Sequence, residues 1–166
     1  MNNSGDKILL SGLPLGKHFS ILTKLYFGAL TKRLEHLDLE RYFSILILAE
    51  KNASNCTQQF LSNQLKIDKA SMVRIIDYLV KKKYLKRTVN ANDRRERRIE
   101  LTAKAKQVLP ELHKGVAEMN KTAMKGLNQK QVKDFNFTFN ILFENLSKEP
   151  SSRIIVNYKK AKASTK

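Results

Sequence analysis

The chain has 166 residues, enough for one domain with a core of its own. Its 32 Lys and Arg against 15 Asp and Glu leave a net charge of +17, with 42% hydrophobic residues. That balance draws polyanions, either nucleic acid or an anionic surface, and no apolar run is long enough to span a bilayer. Cys56 is the only cysteine, which excludes an intrachain disulfide and fits a reducing, cytoplasmic setting. The start of the chain does not read as a secretory signal, because Ile8-Leu9-Leu10 is broken by Ser11, Gly12 and Pro14 and lacks a cationic start. His18, His36 and His113 are scattered. With no ligand cluster, Gly-rich phosphate loop or nucleophile motif, no catalysis, metal or cofactor is expected.

Residues 1–16 read as an irregular arm. Over 17–37, Leu22, Leu25, Tyr26, Ala29, Leu30, Leu34 and Leu37 recur at offsets of three and four and predict an amphipathic helix. Asp38 reads as the N-cap of a second helix over about 39–51. Tyr42, Ile45, Leu46, Leu48 and Ala49 make that helix apolar nearly all round, so it should be buried. Thr57 caps a short helix with Phe60, Leu61 and Leu65, and Lys66-Ile67 forms a tight turn. Asp68 caps a longer helix to about 82, with Met72, Ile75, Ile76, Leu79 and Val80 inward. Two short helices, a brief turn and a strongly patterned second helix make a helix-turn-helix.

The period then changes. Tyr84, Leu85, Thr88 and Val89 favour strand, as do Ile99 and Leu101 beyond a polar turn, giving a β-hairpin with a long basic tip. Thr102 caps a helix to about 125 that contains Pro110 and is weakened by Gly115 and Gly126. Asn128 with Gln131 forms a capping box for a last helix over about 129–147. Val132, Phe135, Phe139, Leu142, Phe143 and Leu146 share one stripe of that helix, while Phe137 and Ile141 lie off it. Ile154-Ile155-Val156 read as a segment that packs back, and 159–166 as a loose lysine tail. The fold class is therefore mainly α with a small β-hairpin wing (α+β), a winged helix-turn-helix flanked by terminal helices.

The functional constellation is the basic cluster at and after the second helix of the motif. Lys81, Lys82, Lys83, Lys86, Arg87, Arg94, Arg95, Arg97 and Arg98 face only Asp93 and Glu96. Such clustering is what phosphate neutralisation requires, and a major groove about 12 Å wide admits one α-helix. Lys69, Ala70, Ser71, Val73 and Arg74 lie on faces of that helix turned from the core. Arg74 suits a guanine edge or a phosphate, or else a surface ion pair with Asp77 or Asp93. Lys69 and Ser71 suit either DNA partner, and Ala70 and Val73 suit thymine methyls. Thr57, Gln58 and Lys81 are assigned to the backbone, at helix starts and flank. Arg87, Asp93, Arg94, Arg95 and Arg97 are assigned to the wing.

The run Leu61-Ser62, Leu65, Ile67, Val73-Arg74-Ile75-Ile76-Asp77 and Leu79 is followed by Tyr84-Leu85 and Arg87. With Asp93-Arg94-Arg95-Glu96-Arg97-Arg98 and Leu101-Thr102, it resembles the MarR (multiple antibiotic resistance) regulators. The resemblance spans 17–147 in helix order and 57–105 in motif detail. It implies a winged helix in a dimer whose terminal helices intertwine and whose wings straddle a palindromic operator. Asp93 would then hold Arg95 or Arg97, which enters the minor groove. By the same resemblance Leu9, Leu10, Leu13, Leu15, Phe137 and Ile141 bury against a second copy. The implied units are an arm and dimerisation helix over 1–38, a DNA-binding region over 39–102, dimerisation helices over 103–158 and a basic tail over 159–166. Lys83 and Ala105 stand where the family usually has glycine, and Val73 where it often has a small hydroxyl residue.

Many such regulators are repressors released by a small lipophilic or phenolic effector. Here His18, Tyr26, Arg33 and Tyr42 lie on the helices that would wall an effector cleft, although each also reads as a packing or surface residue. Others of the family sense oxidants through a cysteine in the first helix, which has none here. Cys56 reads as a small buried hydrophobe. The alternative to a regulator is a basic architectural nucleic-acid-binding protein without choice of sequence.

Overall fold

The computed structural model describes residues 12–89 and 97–150. In chain order it contains α1 (Leu15–Arg33), a 3₁₀ turn (Glu35–Leu37), α2 (Phe43–Lys51), α3 (Gln58–Leu65) and α4 (Lys69–Lys81). There follow β1 (Leu85–Val89), β2 (Arg97–Leu101), α5 (Ala103–Ala123) and α6 (Gln129–Lys148). This is the mainly helical chain with a two-stranded wing that the periodicity predicts.

Side-chain caps open most of the later helices where the sequence places them. Thr57 accepts from the Phe60 amide at 3.1 Å, Asp68 from Ser71 at 2.9 Å and Thr102 from Ala105 at 3.2 Å. Asn128 and Gln131 form the reciprocal capping box. Each cap satisfies an amide that the first helical turn leaves without a partner.

Asp38 behaves differently from its predicted role. It does not start α2, which begins at Phe43. It ends the 3₁₀ turn in the left-handed region at φ 51°. The reason is tertiary: Leu37 and Leu39 on either side are both buried, so the chain must turn between them rather than begin a helix. Glu40, at φ 50°, continues the corner.

The core lies between α2, α3, α4, the wing root, α5 and the C-terminal end of α1. Phe43, Ile45, Leu46 and Ala49 of α2 meet Leu61, Met72, Ile76, Leu79, Tyr84, Leu85, Ile99, Ala105, Leu109 and Leu112, all buried. Burying one such large side chain contributes roughly 1.5–3 kcal/mol. Of the apolar stripe only Leu30 on α1 and Leu34 at its C-cap, with Leu37 in the following turn, are buried, whereas Leu22 and Leu25 stay about 60% exposed. Gly115, which reads in sequence as a weak point in α5, has a packing role. A Cβ there would lie 3.0 Å from Leu34 Cδ2, so its absence lets α1 approach α5 closely.

Candidate nucleic-acid interface

Helices α3 and α4 are joined by a turn in which Lys66 takes φ 52°, the Ile67 amide donates to Ser62 O at 3.1 Å, and the buried Ser62 hydroxyl donates back to Ile67 O. This closed turn fixes the angle between the two helices. Met72, Ile75, Ile76 and Leu79 anchor α4 to the core. The anchoring turns Lys69, Ala70, Val73 and Arg74 outward, all exposed, with Ser71 half-buried beside the cap. The Asp68 carboxyl is held below its usual range, first by its hydrogen bonds from Ser71, with a smaller contribution from Arg74.

The wing is antiparallel, with Leu85 opposite Leu101, Arg87 opposite Ile99 and Val89 opposite Arg97. Its root is tied to the start of α3: Arg98 bridges to Thr57, and the Ile99 amide donates to Cys56 O at 2.8 Å. Thr57 and Gln58 are thus half-buried at the junction of helix and wing. Arg97 is exposed, whereas Arg98 is half-buried and its Nε is buried without a hydrogen-bond partner among the described residues.

Arg87 is not free to reach outward unaided: its Nη1 lies 2.7 Å from Asp77 on α4. The pair links wing to helix and occupies the carboxylate that the sequence offered to Arg74. Sequence reasoning missed this role of Asp77, although its position one turn beyond Arg74 on the exposed face was a signal. Lys86 is engaged with Glu100 at 2.9 Å, and Thr88 donates to the same carboxylate at 2.7 Å. Lys81 is exposed on the last turn of α4. The wing-tip residues Asp93, Arg94 and Arg95 lie outside the described residues, as do Leu9, Leu10 and the segments 151–158 and 159–166.

The four residues considered for an effector cleft do not gather round one cavity. His18 is buried, its Nδ1 3.2 Å from Pro14 O. The Tyr26 hydroxyl donates to Asn120 at 2.7 Å, Arg33 pairs with Glu118, and the Tyr42 ring packs edge-on against Tyr78 at 5.4 Å. Of the four only Tyr26 lines the apolar groove of about 760 Å³ between α1 and α6, which is walled by Phe19, Leu22, Phe135, Phe139 and Phe143 among others. Phe137 and Ile141, on the other face of α6, are exposed, as is Leu13. Cys56 is fully buried, and burial pushes its thiol up to about 11. Among the described residues no group of three or more His, Cys, Asp or Glu could hold a metal ion, and no helix is long and apolar enough to cross a membrane.

An exposed, capped helix beside a two-stranded wing, both basic, is an arrangement that fits a nucleic-acid groove with flanking phosphates. Residues 40–96 match the MarR family model. A MarR transcriptional regulator from Methanosarcina mazei Go1 superposes with a TM-score of 0.73 at 29% identity, over 80% of this chain and 96% of that one. Wild-type MarR from E. coli in its apo form gives 0.62 at 23% identity, over 78% and 96% of the two chains. A MarR family regulator from Listeria monocytogenes, complexed with 26mer DNA, gives 0.73 at 17% identity, over 84% and 99%. The last two likenesses are of fold alone.

Proposed function

Because the chain carries a MarR-family region over residues 40–96 within the fold of those regulators, we propose that it is a transcriptional regulator that binds duplex DNA in a sequence-specific way. It acts in the cytoplasm as a homodimer on a pseudo-palindromic site. The observation that carries this reading is the outward face of α4, where Lys69, Ala70, Val73 and Arg74 stand exposed beside a wing root tied to the same lobe. Arg74 and Lys69 would read base edges or phosphates at the groove, while Arg97 and the tip arginines would follow the flanking backbone. The relative solved with DNA supports the same use of the fold.

Homodimerisation is supported by the apolar faces of α1 and α6. Phe137 is 69% exposed and Phe143 60% exposed, and neither side chain has reason to face water on a helix this well patterned. Release of the DNA by a small lipophilic compound, and hence repression, is the further part of the proposal. The groove between α1 and α6, lined by Tyr26 and phenylalanines, offers such a compound apolar surface.

Binding to a site selected from random duplexes, compared with binding to random DNA across a salt series, tests the reading. A steep salt slope is expected for both, with roughly a thousandfold preference for the selected site. Equal affinity for the two would replace the regulator with a non-specific architectural protein, the reading that the +17 charge alone would favour.

A further inference from the structure

Three non-glycine residues with left-handed backbone, Asp38, Glu40 and Lys83, at φ 51°, 50° and 61°, fall at the two ends of one polar cluster. The cluster joins the corner between α1 and α2 to the C-terminal end of α4. The Tyr78 hydroxyl on α4 donates to Asp38 O at 3.1 Å, and Lys82 Nζ makes an ion pair with the Asp38 carboxylate. The Tyr84 hydroxyl donates to Leu37 O. Lys104, from α5, donates to Lys82 O at 3.0 Å and sits 4.1 Å from the centre of the Tyr84 ring. Thr102 donates to Lys83 O at 2.6 Å, and Thr31 of α1 donates to Glu40 O at 3.4 Å. Left-handed backbone at non-glycine residues must be held by its surroundings: these side chains enclose the corner at Asp38 and Glu40, and backbone hydrogen bonds to Val80 O and Leu79 O also close the turn at Lys83. The Asp38 carboxyl is held below its usual range, first by the hydrogen bond from Lys82.

The corner is where the frame of α1 and α5 hands over to the helix-turn-helix. Arg33–Glu118, Tyr26–Asn120 and the Leu34–Gly115 approach fix α1 against α5. The core fixes the buried side of α4, and the cluster fixes its far end against the corner. We propose that Asp38, Tyr78 and Lys82 are positioning residues that set the angle of α4 to the α1–α5 frame, and through it the spacing of half-sites that the dimer accepts. This rests on the regulator reading above. Each added base pair rotates the second half-site by about 35°, given 10–10.5 bp per turn, so a rigid mount discriminates spacing and a loose one does not.

The test uses the full chain and the double variant Asp38→Asn with Tyr78→Phe. It keeps every basic charge, and Asn tolerates the left-handed backbone. Affinity is measured for the selected duplex, for the same duplex with its halves moved apart by one or two base pairs, and for random DNA. The wild type should lose about tenfold or more on moving the halves, a normal size for coupling between elements. The variant should lose less than about threefold, with random-DNA affinity and salt slope no lower than those of the wild type, since a carboxylate is removed and Lys82 released. Thermal unfolding by circular dichroism establishes that the variant folds, and either single change carries the same comparison should the double variant unfold. Lys82→Arg, which retains the pair with Asp38, should keep wild-type discrimination. A folded variant that discriminates spacing as the wild type does overturns the proposal, as does a site-specific wild type indifferent to spacing. A wild type that does not prefer the selected duplex over random DNA fails at the earlier step and removes the regulator reading as well.

Discussion

Helix α4 turns Met72, Ile75, Ile76 and Leu79 into a core that closes within the chain, whereas α6 carries Phe135, Phe139, Leu142, Phe143 and Leu146 along one stripe and buries no residue. The two helices share the amphipathic period, and both begin at a side-chain cap. They differ in what surrounds them. α4 is packed by α3 and the wing root, while α6 meets α1 across an open groove where Phe19 and Phe139 lie edge to face, 6.3 Å apart. An apolar stripe therefore states that a helix needs a partner surface without stating which chain supplies it.

The largest expected effect comes from putting a charge on the open side of this contrast. If a second copy covers α6, Phe143→Asp buries an unpaired carboxylate at a cost of several kcal/mol. The dimer should then weaken by about a hundredfold or more, read by sedimentation equilibrium. A dimer of unchanged affinity would mean that the face is covered by something else.

On the closed side, Leu79→Ala should destabilise the chain by about 2–5 kcal/mol in denaturant unfolding at fixed protein concentration, while leaving association of the folded chains intact. A loss below about 1 kcal/mol would show that α4 is not the anchored element its burial indicates.

A smaller and opposite effect is expected at Lys83. The turn after α4 pairs the Lys83 amide with Val80 O and the Tyr84 amide with Leu79 O, the hydrogen-bond pattern of a Schellman ending, which places the residue after the cap in left-handed backbone. A lysine there carries a strain of about 1 kcal/mol. Lys83→Gly should raise stability by up to that amount, less the added freedom of the unfolded chain. A drop in stability would show that Lys83 makes a contribution beyond its backbone.

The smallest effect is in pH. Asp38 has its carboxyl lowered in the folded chain, so its contribution is present above the unfolded value of about 3.9 and is lost as pH falls through the lower folded value. The wild type should lose stability more steeply than Asp38→Asn below about pH 4. Because Asp38 is largely exposed, solvent screening keeps the difference modest. Parallel curves would separate the corner from any ionic role.

Much of the fold is legible in the sequence because its signals are local. Thr57, Asp68, Thr102 and Asn128 announce helix starts by the same hydrogen bond, and the change from helical to strand period at Tyr84 marks the wing. The corner at Asp38 is not legible. An Asp before an apolar residue signals an N-cap, and the same short side chain also tolerates left-handed backbone. Only Tyr78, Lys82 and Tyr84, forty or more positions away, decide between the two. Gly115 is similar: within α5 it reads as a defect, and its use depends on Leu34 of another helix. For the candidate interface, the exposed face of α4 follows from its buried face. The engagement of Arg87 by Asp77 needs the wing to fold back on the helix before it can be seen.

The burial of Cys56 gives the lobe an internal clock. Its backbone carbonyl holds the wing root through the Ile99 amide, its side chain is sealed in the core, and its thiol is pushed up to about 11. A thiol reagent reaches it only through openings that uncover the core, so the alkylation rate at a set pH reports those openings, whether local to the junction of α3 and the wing or global. As the only sulfhydryl in the chain, it reports on these openings with no competing thiol signal.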